Sequence, residues 1–481
     1  MSDFNAYNRG KHEECIAHVV WAAHILHDLA GERSQTRLLP ELDPEEDFDG
    51  DELDAKTESE VILASSGDLI RSKLLDCVAE LVSPSKGWDH VVTTGLRESA
   101  DSIEIDITRN DGFSMTGGSK RKKSRRKGVD TQYFEHLQNY LASASGESVS
   151  ALSLKWFDSV AIEFNRERVD NWAAIARKYV ALLPSLQDHV EDSSPDSQNA
   201  AKTWTNLTTL LSHKGGGESI LREQIVYAAY ECIVSNEVRA VLRTTFNIQM
   251  ASKLWKILRS IARPVSNCRL LIRIVGCLPQ FRRVKICPHP PGPNTKLGLK
   301  YLVDVRDAWV QLHPFSSSGA DLPTSASLQD RFRRDCARTF SSHAEVQLYL
   351  YYEHNVSLTP SVDYFGCSKK SCLLCEAFLQ ALPQPISTRG RHGICYPAWV
   401  VPYTGSEDIM VALQQLEKTL VSRIEMHMTG QLGSAFLDQV PQSTVASDLP
   451  SSSMEEILKR KEMMKSAEEK RQMLQRQRSI V

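Results

Sequence analysis

Two short strings constrain this chain more than anything else in it: Ser342-His343-Ala344-Glu345 and Cys372-Leu373-Leu374-Cys375. A histidine, two cysteines and a nearby glutamate are what a hydrolytic metal site needs. Three ligands hold the ion, a fourth position stays open for water, and a carboxylate that is not a ligand moves protons. Glu345 and Cys372 stand 27 positions apart, which leaves room for one helix, a turn and one strand. The pairing predicts a βαβα unit with both motifs at helix starts.

The spacing inside each string has a physical reading. Cys372 and Cys375 are three apart, so on a helix they share a face and their sulfurs can converge on one ion. At a helix N-terminus the backbone dipole also favours thiolate, the form that binds metal. His343 and Glu345 are two apart and would point opposite ways on a continuing helix. They face one ion only if it lies off the helix end, with His343 in or before the first turn. Ser342 suits this arrangement as the N-cap. A plainer reading stands beside it: Ser342-x-x-Glu345 is also a capping box, and a Cys-x-x-Cys alone is equally a redox pair.

The rest of the chain bounds the setting. With 481 residues and 41% hydrophobic content it can form two or three domains with ample core. Charges nearly balance, 57 basic against 60 acidic, so no global field commits it to nucleic acid or membrane. The 11 cysteines are scattered and odd in number, unlike a disulfide framework. Met1-Ser2-Asp3-Phe4-Asn5 has no apolar leader, and the stretch Ile16–Leu29 is broken by His18, His24, His27 and Asp28. The expectation is a soluble protein with reduced thiols, cytoplasmic or nuclear, not secreted and not in a membrane.

Along the chain, residues 8–31 and 60–83 carry helical spacing, separated by an acidic loop at 41–60. Ile103-Glu-Ile-Asp-Ile107 alternates like a half-buried strand or extended arm. Lys120–Lys127 holds seven cations in eight positions, inside a basic loop at 117–128. It reads as a localisation signal, a phosphate contact or a flexible loop. From 131 to 262 the pattern is helical, and residues 1–260 are taken as a mostly α-helical N-terminal region. Past Pro264 the expectation turns to strands at Arg269–Gly276, Val284–Ile286, Pro360–Phe365 and Ile394–Val401, with an extended stretch at Tyr301–Val305. Helices are expected from His343 to about Asn355, over Cys372–Leu382, and over 406–429 with Ser406 as cap. Pro314–Leu328 reads as a Ser-rich linker, and 441–481 as a Ser-rich spacer and charged tail.

At His343-Ala-Glu345 followed by Gly366-Cys-Ser-Lys-Lys-Ser-Cys-Leu-Leu-Cys375 the chain resembles the zinc-dependent nucleic acid and nucleotide deaminase superfamily. Its likeness is to a fungal deaminase-like branch of OTT type, related to bacterial toxin deaminases. Arg391-His392-Gly393, Tyr396-Pro-Ala-Trp399 and Pro402 are similar to that branch too. The resemblance implies an α/β fold, a cytidine-deaminase-like three-layer α/β/α sandwich within 261–440. It implies Zn2+ held by His343, Cys372 and Cys375, with Glu345 as the catalytic acid and base. The substrate would be a nucleobase, free, in a nucleotide or in nucleic acid. Zinc in such sites brings the pKa of a water toward neutrality, and the glutamate carries a proton to the departing ammonia.

Ser371 departs from the commoner signature, which has Pro before the first cysteine; Ser there can cap the helix instead. Cys367 is a rival ligand that could close the site and make the zinc structural. Arg391 and His392 are candidate substrate contacts or ordinary loop side chains. Trp399 could stack on a base or pack in the core, and Cys395 reads as a small buried residue. Three functions follow. The first is a hydrolytic deaminase. The second is a catalytically inactive deaminase-fold binding module with a structural zinc. The third is a dithiol redox protein, which has no use for His343 and Glu345.

Overall fold

In a computed structural model, residues 2–34, 67–113, 129–145, 151–181, 194–213, 218–276, 278–314, 326–355 and 357–429 are described. The acidic loop, the basic loop, the core of the Ser-rich linker and the charged tail lie outside the described residues.

A five-stranded mixed sheet organises the chain, in the order β3-β2-β1-β6-β7. β1 (Val92–Glu98) and β2 (Ile103–Arg109) form an antiparallel hairpin, with Gly95 opposite Asp106. β3 (Val284–Pro288) runs parallel to β2, β6 (Tyr364–Cys367) antiparallel to β1, and β7 (Ser387–Thr388) parallel to β6. Ile103, Ile105 and Ile107 are wholly buried, so their alternation marks a core strand and not an arm. The sheet crosses the position 260/261, because its central hairpin comes from residues 92–109.

Helix α1 (Ser2–Ser34) packs along the late helix α14 (Glu407–Met428): His18 Nδ1 and Glu417 Oε1 are 2.9 Å apart. The stripe Cys15, Val19, Ala22, Ala23 and Leu26 is buried. Ser406 caps α14 by accepting from the Ile409 amide. α2 (Gly67–Leu81) lies on the sheet at β1 and β6.

Among the described residues, seven helices lie between β2 and β3: α3 (Val129–Ala144), α4 (Ala151–Phe164), α5 (Arg166–Val180), α6 (Pro195–Ser212), α7 (Glu218–Val234), α8 (Asn236–Thr245) and α9 (Ile248–Gly276). Part of this segment has a core of its own, built round Trp172, Trp204 and Trp255.

Beyond β3 come a two-stranded pair, β4 (Thr295–Lys296) with β5 (Thr339–Phe340), and the helices α10 (Val305–Leu312) and α11 (Ala326–Cys336). The motif helices are α12 (Ala344–His354), ahead of β6, and α13 (Leu373–Gln380), after it. Side chains alternate across β6: Tyr364 joins the core of α2, α3 and α9, while Phe365 joins that of α1, α12, α13 and α14. No described helix is long and apolar enough to cross a membrane.

Two expected strands are not strands, and the stretch expected to be extended at Tyr301–Val305 is a turn leading into a helix. Arg269–Gly276 is the last part of α9, a helix of 29 residues that contains Pro264. Leu270, Leu271, Ile274 and Val275 fall on one buried helical face, a spacing that a short apolar run shares with a strand. At Tyr301–Val305 a 3-10 turn ends at Tyr301, and Asp304 caps α10 by accepting from the Arg306 and Asp307 amides, both at 2.9 Å. Ile394–Val401 is an irregular segment whose only ladder contact is a bridge from Trp399 to Ser341. Gly393 there adopts φ 71°, and Pro397 has no amide to donate.

Candidate metal centre

The two motif helices start side by side, and their first residues meet. His343 is the N-cap of α12 and Cys372 the N-cap of α13, both with extended backbone. Extended φ and ψ at an N-cap turn the side chain off the helix end, where the spacing requires an ion to lie. His343 Nδ1 is 3.5 Å from Cys372 Sγ and 3.4 Å from Cys375 Sγ. Ligand atoms of all three residues lie within 4.8 Å of one another, and they form a group able to hold a metal ion. A four-coordinate ion with metal–nitrogen and metal–sulfur distances of about 2.05 and 2.3 Å separates tetrahedral donors by about 3.6 Å. The nitrogen–sulfur separations fit that edge length, so the three residues suit a tetrahedral ion.

Neither expected serine cap forms. Ser342 Oγ is buried without a hydrogen-bond partner, so no capping box joins it to Glu345. Ser371 donates instead to Thr388 Oγ1 at 3.0 Å, tying the helix start to β7. The caps come from elsewhere: Asn110 Oδ1 accepts from the Ala344 amide, and Cys372 Sγ accepts from the Cys375 amide at 3.4 Å. Thr108 Oγ1 donates to the Ala344 carbonyl at 2.8 Å, so β2 and the turn just after it hold both the amide and the carbonyl of Ala344.

Glu345 is buried, 3% exposed, with Oε2 3.6 Å from Cys375 Sγ. Burial pushes its carboxyl above the ordinary value, and the charge of Cys372 adds to this; His343, its own backbone and Ser371 pull the other way. The two sulfurs differ. Burial alone would raise the Cys372 thiol, but hydrogen bonding from Cys375 and the charge of His343 hold it well below its usual value. Burial and the Cys372 charge push Cys375 well above. A bound ion needs both sulfurs deprotonated.

Cys367 stays outside the three-residue group. Its sulfur, wholly buried in β6, is 3.8 Å from Thr93 Oγ1 and 4.0 Å from Ser371 Oγ. Trp399 is 1% exposed and packs edge-on against Phe378, with ring centroids 5.8 Å apart. Arg391 forms an ion pair with Glu376 at 3.1 Å. Cys395 is buried against α1 and donates to the Ala23 carbonyl at 3.5 Å.

A cavity of about 440 Å³ opens onto the centre, with His343, Glu345 and Cys372 in its wall and His392 farther round. Asn110, Trp88, Lys369 and Lys370 also line it, and the motif reading missed all four. Lys369 and Lys370 directly precede Ser371-Cys372, so their place beside the motif was a usable signal. Asn110 and Trp88 had none, because they lie more than 200 positions before the helix they face.

Residues 342–403 match a family profile described as OTT_1508_deam-like deaminase. The matched segment runs from the first motif through the second to the loop beyond Trp399. No curated protein and no solved structure matches the chain. The match and the His/Cys/Cys group together point to a deaminase-type function.

Proposed function

We propose that the chain is a zinc-dependent hydrolytic deaminase acting on a nucleobase in a nucleotide or nucleic acid. The observation that carries this reading is the place of Glu345: buried, beside three converging metal donors, and in the wall of a cavity large enough for a ligand. His343, Cys372 and Cys375 would hold the ion. Bound zinc supplies a Lewis acid that makes water acidic near neutral pH.

The chain's own residues do the rest. Glu345 Oε2, with its carboxyl raised by burial, takes a proton from water at the cavity wall and returns it to the leaving amine nitrogen. The clamp of Asn110 and Thr108 on Ala344 keeps His343 and Glu345 aimed at one point. We also assign the hairpin of residues 92–109 to the deaminase-like unit, since it forms the centre of the sheet that carries the motifs.

The inactive module with a structural zinc is the weaker reading. A closed site needs a fourth protein ligand, and the sulfur of Cys367 lies against Thr93 and Ser371 instead. The test is metal analysis of the purified protein together with ammonia release from a panel of nucleosides, nucleotides and single-stranded oligonucleotides. Glu345→Gln should keep about one zinc per chain and lose about 100-fold or more in turnover. Full turnover in that variant would refute the mechanism.

A further inference from the structure

Trp399 is a buried donor that the fold leaves without an acceptor. Its side chain is 1% exposed, and Nε1 has no hydrogen-bond partner. Nearly all buried N–H groups are paired, so such an atom calls for an explanation. The residue stands between the two motifs. Its backbone bridges in parallel to Ser341, just ahead of the first motif, where the Ser341 amide donates to the Ala398 carbonyl at 3.2 Å. Its ring meets that of Phe378, which follows Cys375 by three positions on the same face of α13. Cys375 is wholly buried, and burial, Cys372 and Glu345 push its thiol up. The Trp399 indole pulls it the other way, as an N–H directed at the sulfur does. A neutral thiol is a weak acceptor and leaves that donor unsatisfied, whereas a thiolate is a strong one.

Resting on the reading of His343, Cys372 and Cys375 as metal ligands, we infer that Trp399 is a positioning residue of that centre: its indole N–H donates to the Cys375 sulfur when that sulfur binds an ion. The bond fixes the direction of one ligand atom and takes charge off it, the part that groups around the ligands play in metal sites. Cys372 Sγ has a donor already, the Cys375 amide at 3.4 Å. The indole gives the second sulfur its own. It also gives the buried side chain a reason to be tryptophan, since phenylalanine fills an apolar core and brings no donor.

The test is metal titration of the full chain, with Zn2+ against a competing chelator and with Co2+ read by its sulfur-to-metal charge-transfer absorption. Trp399→Phe should bind Zn2+ about 10-fold more weakly. Its Co2+ band should move to lower energy, because a sulfur without a hydrogen bond gives up an electron more readily. Phe378→Leu, which alters the packing and spares the N–H, should leave both unchanged. On the native sequence, the indole proton of Trp399 should move downfield in the NMR spectrum as Zn2+ binds, a readout that needs no variant to fold. An unmoved resonance, an unchanged band in Trp399→Phe, or equal changes in Trp399→Phe and Phe378→Leu overturns the inference and leaves the metal centre standing. If the native chain takes up no Zn2+ and shows no sulfur band with Co2+, the metal centre and the inference fall together.

Discussion

Asn110 Oδ1 accepts a 2.6 Å hydrogen bond from the Ala344 amide, so the motif helix is capped by a residue 234 positions earlier in the chain. The Asn110 carbonyl also accepts from Gln347 Nε2 at 3.2 Å, and its Nδ2 donates to the Trp88 carbonyl at 2.7 Å. Because His343 is the N-cap residue, this bond sets the direction of the ligand ring. Asn110→Ala should cost about 1–2 kcal/mol of stability, as loss of a helix cap does. It should also weaken metal binding about 10-fold or more, the scale seen when a partner that orients a ligand is removed. Chemical unfolding and competition with a chelator measure the two effects separately. Unchanged metal affinity would mean that His343 is oriented by something else.

Gly366 sits against α2. A Cβ built on it would lie 2.3 Å from the Leu75 carbonyl carbon and 2.5 Å from Thr94 Oγ1. Backbone cannot move aside as a flexible side chain does, so Gly366→Ala must push the helix off the sheet. A loss of about 3 kcal/mol is expected. Gly276→Ala, where nothing lies within 4 Å of the added carbon, is the control and should change little. Melting curves of the two variants decide the matter.

Asp76 is buried behind the same strand, accepting from Tyr364 Oη at 2.9 Å and from the Cys367 amide at 3.0 Å. Burial lifts its carboxyl from 3.8 to about 6, against the pull of Arg389 and Lys73. The folded chain therefore holds a proton here that the unfolded chain releases between those two values. Stability falls as pH rises across that window, and above it the ionised carboxylate costs the fold about 3 kcal/mol. Asp76→Asn keeps an acceptor for the Cys367 amide and cannot ionise. Urea unfolding at a series of pH values should show a flatter profile for the variant between pH 3.8 and about 6. Parallel profiles would contradict the assignment.

Trp399 distinguishes packing from base stacking. Its burial against Phe378 predicts that Trp399→Ala destabilises the fold by about 3–5 kcal/mol. Trp399→Phe, which keeps an apolar ring in place, should retain turnover and nucleotide affinity on any substrate found. A large drop in affinity with normal stability in Trp399→Phe would restore it to the binding surface.

The convergence of His343, Cys372 and Cys375 into a group that could hold a metal was readable because its geometry is local. Three-residue and two-residue spacings near helix starts decide where His343, Glu345, Cys372 and Cys375 can point. What holds them there was not readable. Ser342 and Ser371 had the right chemistry for caps, yet an N-cap is chosen by backbone direction, and that direction comes from β2 and β7. The strands at Ile103–Ile107 and Val284–Ile286 showed their alternating or β-branched pattern. β1 did not, since Thr93, Thr94 and Gly95 in its centre are buried without being apolar. Arg269–Gly276 misled for the converse reason: an apolar run buried inside a long helix has no period of its own.

Thr94 Oγ1 donates to the Gly366 carbonyl across 272 positions of sequence, with the helical segment in between. At translation rates of about 5–20 residues per second, β1 leaves the ribosome roughly fifteen to fifty seconds before β6 can pair with it. Throughout that interval a strand edge waits without its neighbour, the condition under which nascent chains associate wrongly. Cys372 and Cys375 are translated later still, so the three residues of the candidate metal centre can meet only once β6 has been made.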